Sequence, residues 1–418
     1  MTAEAPFDLD AAGARAKAAS RVLATSSSAA KDDFLRLAGE MLEERAEELV
    51  AANEVDLERA AAEGVSGAGL DRLRLDAQRV ASMAGGLREV AALADPIGRV
   101  VEGWVRPNRL RVTRVRVPLG VIGIVYENRP NVTSDAAGLC IKSGNAVMLR
   151  GSSSAISSNR AITGILRQAL AKAGLPADGV ILVEDTSREV ATRFMKMRGV
   201  IDCLIPRGGP SLIASILENA TVPYVIDGDG NCHVYVDEHA DLDMAVTIVI
   251  NAKTQRTSVC NAAESLVVHQ AVAAEFLPRI AQALDGVQLV GDERSRRLVD
   301  RIAPATEEDF ATEFLDMKMS VAVVDSLDAA IDHVQRYSSG HSEAIVTRDL
   351  AAAGRFTREV DAAAVLVNAS TRFVDGGELG LGAEIGISTQ KLHARGPMGL
   401  EALTTVKFVV EGDGQIRS

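Results

Sequence analysis

Continuous apolar runs recur along the middle of the chain, without alternation between apolar and polar positions. The clearest are residues 118–127, 145–151 and 179–185. Such runs are typical of strands buried on both faces of a parallel sheet. The segments between them have helical periodicity, and one of these helices is expected to end at Gly174. Buried strands that alternate with helices predict a doubly wound α/β fold.

The regions on either side of these runs carry different patterns. From Ser26 onward, apolar residues such as Phe34 and Met41 form a helical stripe, and the Ala- and Glu-rich character continues to about Leu93. The first quarter is therefore predicted to be helical. A second series of helix and strand units begins after Asp237–Asp241, where we expect a domain boundary.

Residues 109–116 differ from the buried runs because basic and apolar residues alternate there. This pattern predicts a strand with one face buried and one face in solvent. The strand is either an edge strand or part of an oligomerisation arm. Residues 404–412 predict a further strand near the end of the sequence.

The charge balance excludes several classes of partner. With 45 Lys and Arg against 57 Asp and Glu, the net charge of −12 disfavours binding to nucleic acid or an anionic membrane. No stretch approaches the roughly 18 apolar residues of a membrane span, and the first residues lack a basic segment followed by an apolar one, so we expect a cytoplasmic protein. The cysteines form no CxxC and the histidines no HExxH, so we expect no metal.

Two loops that follow predicted strands are candidate phosphate sites, although the common dinucleotide and triphosphate fingerprints are absent. One contains Arg150 and a helix start expected within Ser152–Ser154. The other contains Arg207 before Gly208 and Gly209. Backbone N–H groups at a helix start bind anions, and an arginine there suits a nucleotide 2′-phosphate. An ordinary helix cap is the alternative for each loop.

Cys260 is the candidate nucleophile because it lies among small and polar residues, with Lys253 and Arg256 upstream. Nearby cations raise the thiolate fraction of a cysteine. An inert cysteine is the alternative. Asn128 follows a buried strand, where its amide is placed either to donate to an oxyanion or to satisfy a turn.

Four segments together closely resemble the gamma-glutamyl phosphate reductase (glutamate-5-semialdehyde dehydrogenase) family, a branch of the aldehyde dehydrogenase superfamily. They are residues 118–155, 255–265, 330–345 and 368–389, and they occur in family order. The resemblance implies NADPH-dependent reduction of L-glutamyl 5-phosphate to L-glutamate 5-semialdehyde and phosphate, through a cysteine thioester. This reaction is the second step of proline biosynthesis.

The resemblance also implies roles for individual residues. Cys260 matches the catalytic cysteine and Asn128 the oxyanion amide. Arg150 stands where the superfamily has a lysine facing the adenosine ribose, which suits NADP, and Glu313 resembles the glutamate that holds the nicotinamide ribose. The remaining expected cofactor residues are Ser152, Ser153, Arg207, Gly208 and Gly209, and the candidate substrate residues are His341, Ser370 and Arg372.

One departure from the superfamily concerns the hydrolytic step. Hydrolytic members keep a glutamate that activates water, whereas the matching stretch here has the shorter Asp227. This departure favours phosphate exchange over the alternative, a non-phosphorylating NAD(P)-dependent aldehyde dehydrogenase. A cysteine hydrolase or acyltransferase, which needs no nicotinamide, and a non-catalytic scaffold are the more distant rivals.

The superfamily architecture implies three regions. Residues 1–104 and 121–237 are expected to form an NADP-binding domain and residues 238–390 a catalytic domain. Residues 105–120 and 391–418 are expected to form a small β oligomerisation arm. A homodimer or homotetramer is expected. A transient contact with glutamate 5-kinase, which makes the unstable acyl phosphate, is possible but does not follow from the sequence.

Overall fold

A computed structural model describes residues 7–65, 67–226 and 228–417. Asp227, which stands where hydrolytic members have a water-activating glutamate, lies outside the described residues. The described part divides into two compact units. The first lies within Met1–Ile226, Leu381–Gly386 and Met398–Ser418, and the second within Asp227–Gly380 and Ile387–Pro397.

The helices and strands alternate along most of the chain, as the apolar pattern predicts. The α-helices are α1 (Leu9–Leu23), α2 (Ser28–Glu44), α3 (Ala46–Ala62), α4 (Ala68–Leu73), α5 (Ala77–Ala92), α6 (Asn131–Lys142), α7 (Ile156–Lys172), α8 (Arg188–Phe194), α9 (Pro210–Asn219), α10 (Leu242–Thr254), α11 (Gln270–Ala283), α12 (Glu293–Leu298), α13 (Glu307–Ala311), α14 (Leu327–Tyr337) and α15 (Leu350–Glu359). The strands are β1 (Val100–Val105), β2 (Arg111–Pro118), β3 (Val121–Tyr126), β4 (Ala146–Arg150), β5 (Val180–Leu182), β6 (Cys203–Arg207), β7 (Cys232–Val236), β8 (Ala263–His269), β9 (Gln288–Gly291), β10 (Ala303–Pro304), β11 (Lys318–Val324), β12 (Ser342–Val346), β13 (Ala364–Val367), β14 (Ile387–Ser388), β15 (Gly396–Pro397) and β16 (Thr404–Glu411).

The helical first quarter begins at caps that the sequence supplies. Ser27 precedes α2 and its side chain accepts a hydrogen bond from the backbone N–H of Ala30, which satisfies one donor at the helix start. Phe34 and Met41 are buried along α2, as the stripe predicts. The backbone at Arg45 leaves the helical region and separates α2 from α3, so this stretch contains more than one helix.

The first unit contains a parallel sheet of four strands in the order β5-β4-β3-β6. Every residue of β3 is buried. A strand in this position has layers on both faces, which explains why its sequence is continuously apolar. The carboxyl ends of β4 and β6 are Arg150 and Arg207, so both predicted phosphate loops leave the same edge of this sheet.

The second unit contains a seven-stranded parallel sheet in the order β10-β9-β11-β8-β7-β12-β13. Successive side chains of β7 point to opposite faces: Val234 packs with α10 and α11, whereas Tyr235 packs against Phe356 of α15. Helices therefore cover both faces, which confirms the predicted α/β architecture.

The expected division of the chain places β7 in the first domain, because that division falls at residues 237 and 238. In the structure β7 pairs with β8 and β12 and belongs to the second sheet. An apolar run shows that a strand is buried but not which sheet it joins, so the pattern could not place this strand.

A third, antiparallel sheet has the order β1-β2-β16 and belongs to the first unit. The alternation in β2 was expected to give one buried face, but no residue of β2 is buried in the chain, and β2 is the central strand rather than an edge. Val105 and Phe408 are 65% and 62% exposed. The oligomerisation arm was expected to comprise residues 105–120 and 391–418. In the structure its sheet also includes β1. Residues 391–397 belong instead to the second unit.

Candidate active site

Cys260 lies in the loop between α10 and β8 and is partly exposed. The thiol of Cys232, at the start of β7, donates to the carbonyl oxygen of Cys260 at 3.1 Å. Burial raises the pKa of Cys232 well above its ordinary value, which keeps this thiol protonated as a donor. Cys232 therefore lies directly behind the candidate nucleophile and fixes the orientation of its peptide.

Gly230 packs against the backbone of Cys260. A Cβ added at Gly230 would lie 1.6 Å from the Cys260 carbonyl oxygen, so only glycine fits there. The N–H of Gly230 donates to Glu313 Oε1 at 2.8 Å. Through this glycine, the glutamate expected at the nicotinamide ribose is tied to the segment that supports the nucleophile.

Arg372 and Ser370 lie at a short 3₁₀ helix, Thr371–Phe373, close to Cys260. Arg372 Nε donates to Gln255 Oε1 at 2.8 Å, and Ser370 Oγ accepts from the backbone N–H of Arg372 at 3.3 Å. Burial lowers the pKa of Arg372 and repulsion by Arg256 lowers it further, whereas Asp375 and, more weakly, Cys260 act in the opposite direction. Cationic groups therefore lie beside the candidate nucleophile.

Lys253 does not supply the charge that the sequence suggested. Its side chain is fully buried and its Nζ forms an ion pair with Glu264 Oε2 at 2.5 Å. Burial raises the pKa of Glu264 to about 7, and Lys253 opposes this shift. Because Glu264 compensates its charge, Lys253 is not a free cation near Cys260.

His341 is fully buried behind Cys232. Its Nδ1 lies 2.8 Å from Ser342 Oγ and 3.8 Å from Cys232 Sγ. Burial lowers the pKa of His341 to about 4, so the ring is neutral at pH 7. A neutral, buried imidazole is unsuited to form an ion pair with the amino acid end of a substrate, for which His341 is a candidate, and its position suits support of the nucleophile loop.

Asn128 lies in the first unit, immediately after β3 and Glu127. Its φ of 41° falls in the left-handed region, which asparagine tolerates better than most residues. Its side-chain oxygen accepts hydrogen bonds from Ser152 Oγ at 3.1 Å and from Ser154 Oγ. Because both hydroxyls donate to Oδ1, the amide NH₂ of Asn128 is left as a donor. Ser152 thus orients Asn128, and its expected contact with a cofactor stays a prediction.

The start of α7 is already occupied by an acidic side chain. The fully buried carboxylate of Asp56 accepts from the backbone N–H groups of Ser157 and Ser158 at 3.1 and 2.8 Å. The helix was expected to start within Ser152–Ser154, but α7 begins at Ile156 after a 3₁₀ turn. These amides are therefore satisfied within the protein and not available to a phosphate group.

Arg150 and Ser153 lie around this turn. Arg150 Nη2 donates to the carbonyl oxygens of Thr186, at 2.5 Å, and Ser187, at 3.2 Å. Burial lowers the pKa of Arg150. The side chain of Ser153 is exposed, and its carbonyl oxygen accepts from Arg59 at 2.9 Å. Arg150 is thus held against the loop before α8.

The loop with Arg207, Gly208 and Gly209 receives a second acidic side chain. The N–H of Gly209 donates to Glu127 Oε2 at 3.0 Å, and a Cβ at Gly208 would lie 2.6 Å from the same oxygen. Arg207 lies near Asp135, whose pKa burial raises to about 6 against the attraction of that arginine. A side chain at Gly208 would therefore displace this carboxylate.

Comparisons with known proteins identify the family. The sequence model of the aldehyde dehydrogenase family matches residues 1–313. Gamma-glutamyl phosphate reductase of Thermobifida fusca is 56% identical over 96% of this chain and 97% of that protein. The protein of the same name from Heliobacterium modesticaldum is 56% identical over 98% of this chain and 99% of its own length. The chain belongs to the aldehyde dehydrogenase family, in its gamma-glutamyl phosphate reductase branch. The resemblance identified from the sequence is confirmed.

Solved structures agree with this assignment. The crystal structure of gamma-glutamyl phosphate reductase from Thermotoga maritima has a TM-score of 0.97 and 47% identity, and covers 99% of this chain and 100% of that chain. An acetylating aldehyde dehydrogenase from Geobacillus thermoglucosidasius has a TM-score of 0.70 at 17% identity, with 98% of this chain and 97% of that chain covered. The latter shows the shared fold alone, and the aldehyde-dehydrogenase-like α/β fold is confirmed.

The expected site residues thus form one group in each unit. Cys260, Glu313, His341, Ser370 and Arg372 belong to the second unit. Asn128 and the expected residues of the two strand-end loops belong to the first. In the described part of the chain, no three His, Cys, Asp or Glu side chains come together to hold a metal ion, and no helix is long and apolar enough to cross a membrane.

Four contributors were not found from the sequence. Gly230 and Cys232 support Cys260 from positions about 30 residues earlier, while Asp56 and Glu127 occupy the two helix starts. Gly230 had a weak signal, since it lies in the same Gly-rich stretch as Asp227. The other three lie in no local motif that marks them.

Proposed function

We propose that this enzyme reduces L-glutamyl 5-phosphate to L-glutamate 5-semialdehyde and phosphate with NADPH, the second step of proline biosynthesis. The observation that carries the proposal is the 52–56% identity, over nearly the whole chain, to proteins named gamma-glutamyl phosphate reductase. Cys260, partly exposed beside cationic groups, is the nucleophile that this reaction requires.

The edge of the first sheet supports the proposed dinucleotide site. Nucleotides bind outside the carboxyl ends of parallel strands, where Arg150 and Arg207 lie. Arg150 Nε is buried and has no hydrogen-bond partner among the described residues, so a ligand oxygen would satisfy it. Arg150, Ser153, Arg207, Gly208 and Gly209 are the proposed contacts, and the cationic Arg150 favours NADP over NAD. Glu313 is proposed for the nicotinamide ribose.

Cys260 attacks the acyl carbon as a thiolate. Its sulfur forms a bond to that carbon while the bond to the phosphate oxygen breaks, and phosphate leaves with the electron pair. When bound, NADPH supplies a hydride to the resulting thioester, after which aldehyde and free thiolate separate. Negative charge develops on the acyl oxygen in both steps. The amide of Asn128 is proposed as a donor to it, and one such donor contributes about 3–4 kcal/mol.

The proposal also covers the substrate-binding residues and the oligomeric state. Ser370 and Arg372 are the proposed substrate residues, with His341 acting from behind Cys232. The exposed apolar side chains of β1 and β16 favour a homodimer or homotetramer formed through the three-stranded sheet. The cytoplasmic location and the transient contact with glutamate 5-kinase stay predictions.

An assay in the oxidative direction tests the function. Purified protein receives glutamate semialdehyde and NADP with and without inorganic phosphate, alongside the Cys260→Ala variant. We expect NADPH formation that requires both phosphate and Cys260. Turnover that is independent of phosphate would instead identify a non-phosphorylating dehydrogenase.

A further inference from the structure

Two arginines beside Cys260 form an unusual charge arrangement. Arg372 is partly buried, and Arg256 lies close enough to lower its pKa by repulsion. No described residue forms a hydrogen bond or ion pair with the Arg256 side chain. The bond to Gln255 uses one of the five N–H donors of Arg372. Two guanidinium groups therefore lie near each other with most of their donors available.

The two chain segments that carry these arginines are joined on both sides of the nucleophile. Gln255, next to Arg256, accepts from Arg372 at 2.8 Å. Asn261, next to Cys260, is buried and donates through Nδ2 to the carbonyl oxygen of Val374 at 2.9 Å. The two segments are thus held together around Cys260, with the Arg372 side chain partly buried and the Arg256 side chain exposed.

Like charges held close together destabilise a protein unless an anion lies between them. Lys253 adds no uncompensated charge to this region, because it forms an ion pair with Glu264. Asp375 attracts Arg372, but neither arginine forms an ion pair with a carboxylate of the described residues. Two such arginines at the nucleophile, within a protein of net charge −12, indicate a site for a multiply charged anion.

We propose that Arg256 and Arg372 bind the phosphoryl group of the acyl phosphate and, in the reverse direction, inorganic phosphate. The inference rests on the proposed function. The phosphate oxygen is bonded directly to the carbon that Cys260 attacks, whereas the α-carboxylate of a glutamyl substrate lies four carbons further along. A charged site next to the sulfur therefore fits the phosphoryl group. Two guanidinium groups also stabilise the charge that accumulates on phosphate as the C–O bond breaks.

The test compares Arg256→Gln and Arg372→Gln in the oxidative assay, with Arg297→Gln as the matched control. Arg297 is exposed in α12 and pairs with Glu293. We expect the KM for inorganic phosphate to rise at least tenfold in each site variant, while the KM values for semialdehyde and NADP change less than twofold. Arg256→Lys and Arg372→Lys should recover part of the phosphate affinity. The control should match the wild type.

A second measurement does not depend on turnover. Inorganic phosphate should slow alkylation of Cys260 by iodoacetamide in the wild type, and this protection should be lost in Arg256→Gln. Arg256 is exposed, and circular dichroism checks that the variant folds.

A raised KM for semialdehyde with an unchanged KM for phosphate would overturn the inference and assign the two arginines to the substrate carboxylate. Normal phosphate kinetics and normal protection in both variants would also overturn it, whereas phosphate-independent turnover of the wild type would instead overturn the proposed function.

Discussion

The candidate sites of the two units differ in how their polar groups are paired. In the first unit, Asp56 and Glu127 already fill the starts of α7 and α9 with carboxylates. In the second unit, Arg256 and Arg372 lie at the nucleophile as neighbouring cations. The first arrangement stabilises the fold before any ligand binds, whereas the second leaves a charge that a ligand must compensate. A helix start beside a strand end is therefore not sufficient evidence for a phosphate site.

The substitution with the largest expected effect on activity is Gly230→Ala in the second unit. In Gly230→Ala the new methyl group would overlap the Cys260 carbonyl, so the nucleophile loop must move. A displacement of about 1 Å lowers activity on the order of 100-fold. Steady-state kcat measures this, with circular dichroism to confirm folding. Gly85→Ala in α5, where a Cβ meets no atom within 4 Å, is the control, and equal activity of both variants would contradict the packing argument.

The pH dependence of stability tests the buried histidine behind Cys232. Burial lowers the pKa of His341 from 6.5 to about 4. Between these values the unfolded chain binds a proton that the folded protein does not, so the free energy of unfolding decreases as pH falls from 6.5 to 4. The loss attributable to this residue is about 3 kcal/mol at pH 4. Urea unfolding across this range should show a shallower decrease for His341→Gln, and parallel curves would exclude the effect.

Removal of the buried carboxylate at the start of α7 tests how much it stabilises the first unit. Asp56→Ala leaves the N–H groups of Ser157 and Ser158 and the charge of Arg59 without their buried partner. We expect a loss of about 2 kcal/mol in the free energy of unfolding. Asp8 caps α1 at an exposed position, so Asp8→Ala should cost no more than about 1 kcal/mol. Equal losses in urea unfolding would show that burial of Asp56 contributes nothing.

The smallest expected effect concerns the hydroxyls around Asn128. Ser154→Ala removes one donor to Asn128 Oδ1, so kcat should fall several-fold, corresponding to about 1 kcal/mol, with the KM for NADP unchanged. Ser153 has an exposed side chain, and its carbonyl contact survives substitution, so Ser153→Ala should retain kcat. A raised KM for NADP in Ser153→Ala would support its expected cofactor contact, and an unchanged kcat in Ser154→Ala would exclude the orienting role.

Local patterns predicted those parts of the fold that depend on local physics. The continuous apolar run at β3 identified a strand buried on both faces, and Ser27 marked a helix start. The assignment of β7 to a sheet failed because pairing depends on partners some 30 and 110 residues later in the chain. Residue type and loop position were sufficient to select Cys260.

The same limit applies to the charges of the site. Lys253 lies seven positions before Cys260 and looked like an activating cation, but Glu264 neutralises it across the start of β8. Asp56 reaches α7 from a helix about 100 residues earlier. Such pairings form only when distant segments pack together, so the residue types are visible in the sequence while their compensation is not.

The pairing of β16 with β2 has a consequence for biosynthesis of the protein. These strands are separated by roughly 290 residues, which takes about 15–60 s to synthesise at 5–20 residues per second. During that interval the emerging chain exposes one edge of β2, with unpaired backbone N–H and C=O groups. The three-stranded sheet is therefore completed only after β16 has been synthesised, and the time spent with an open edge favours protection by a chaperone.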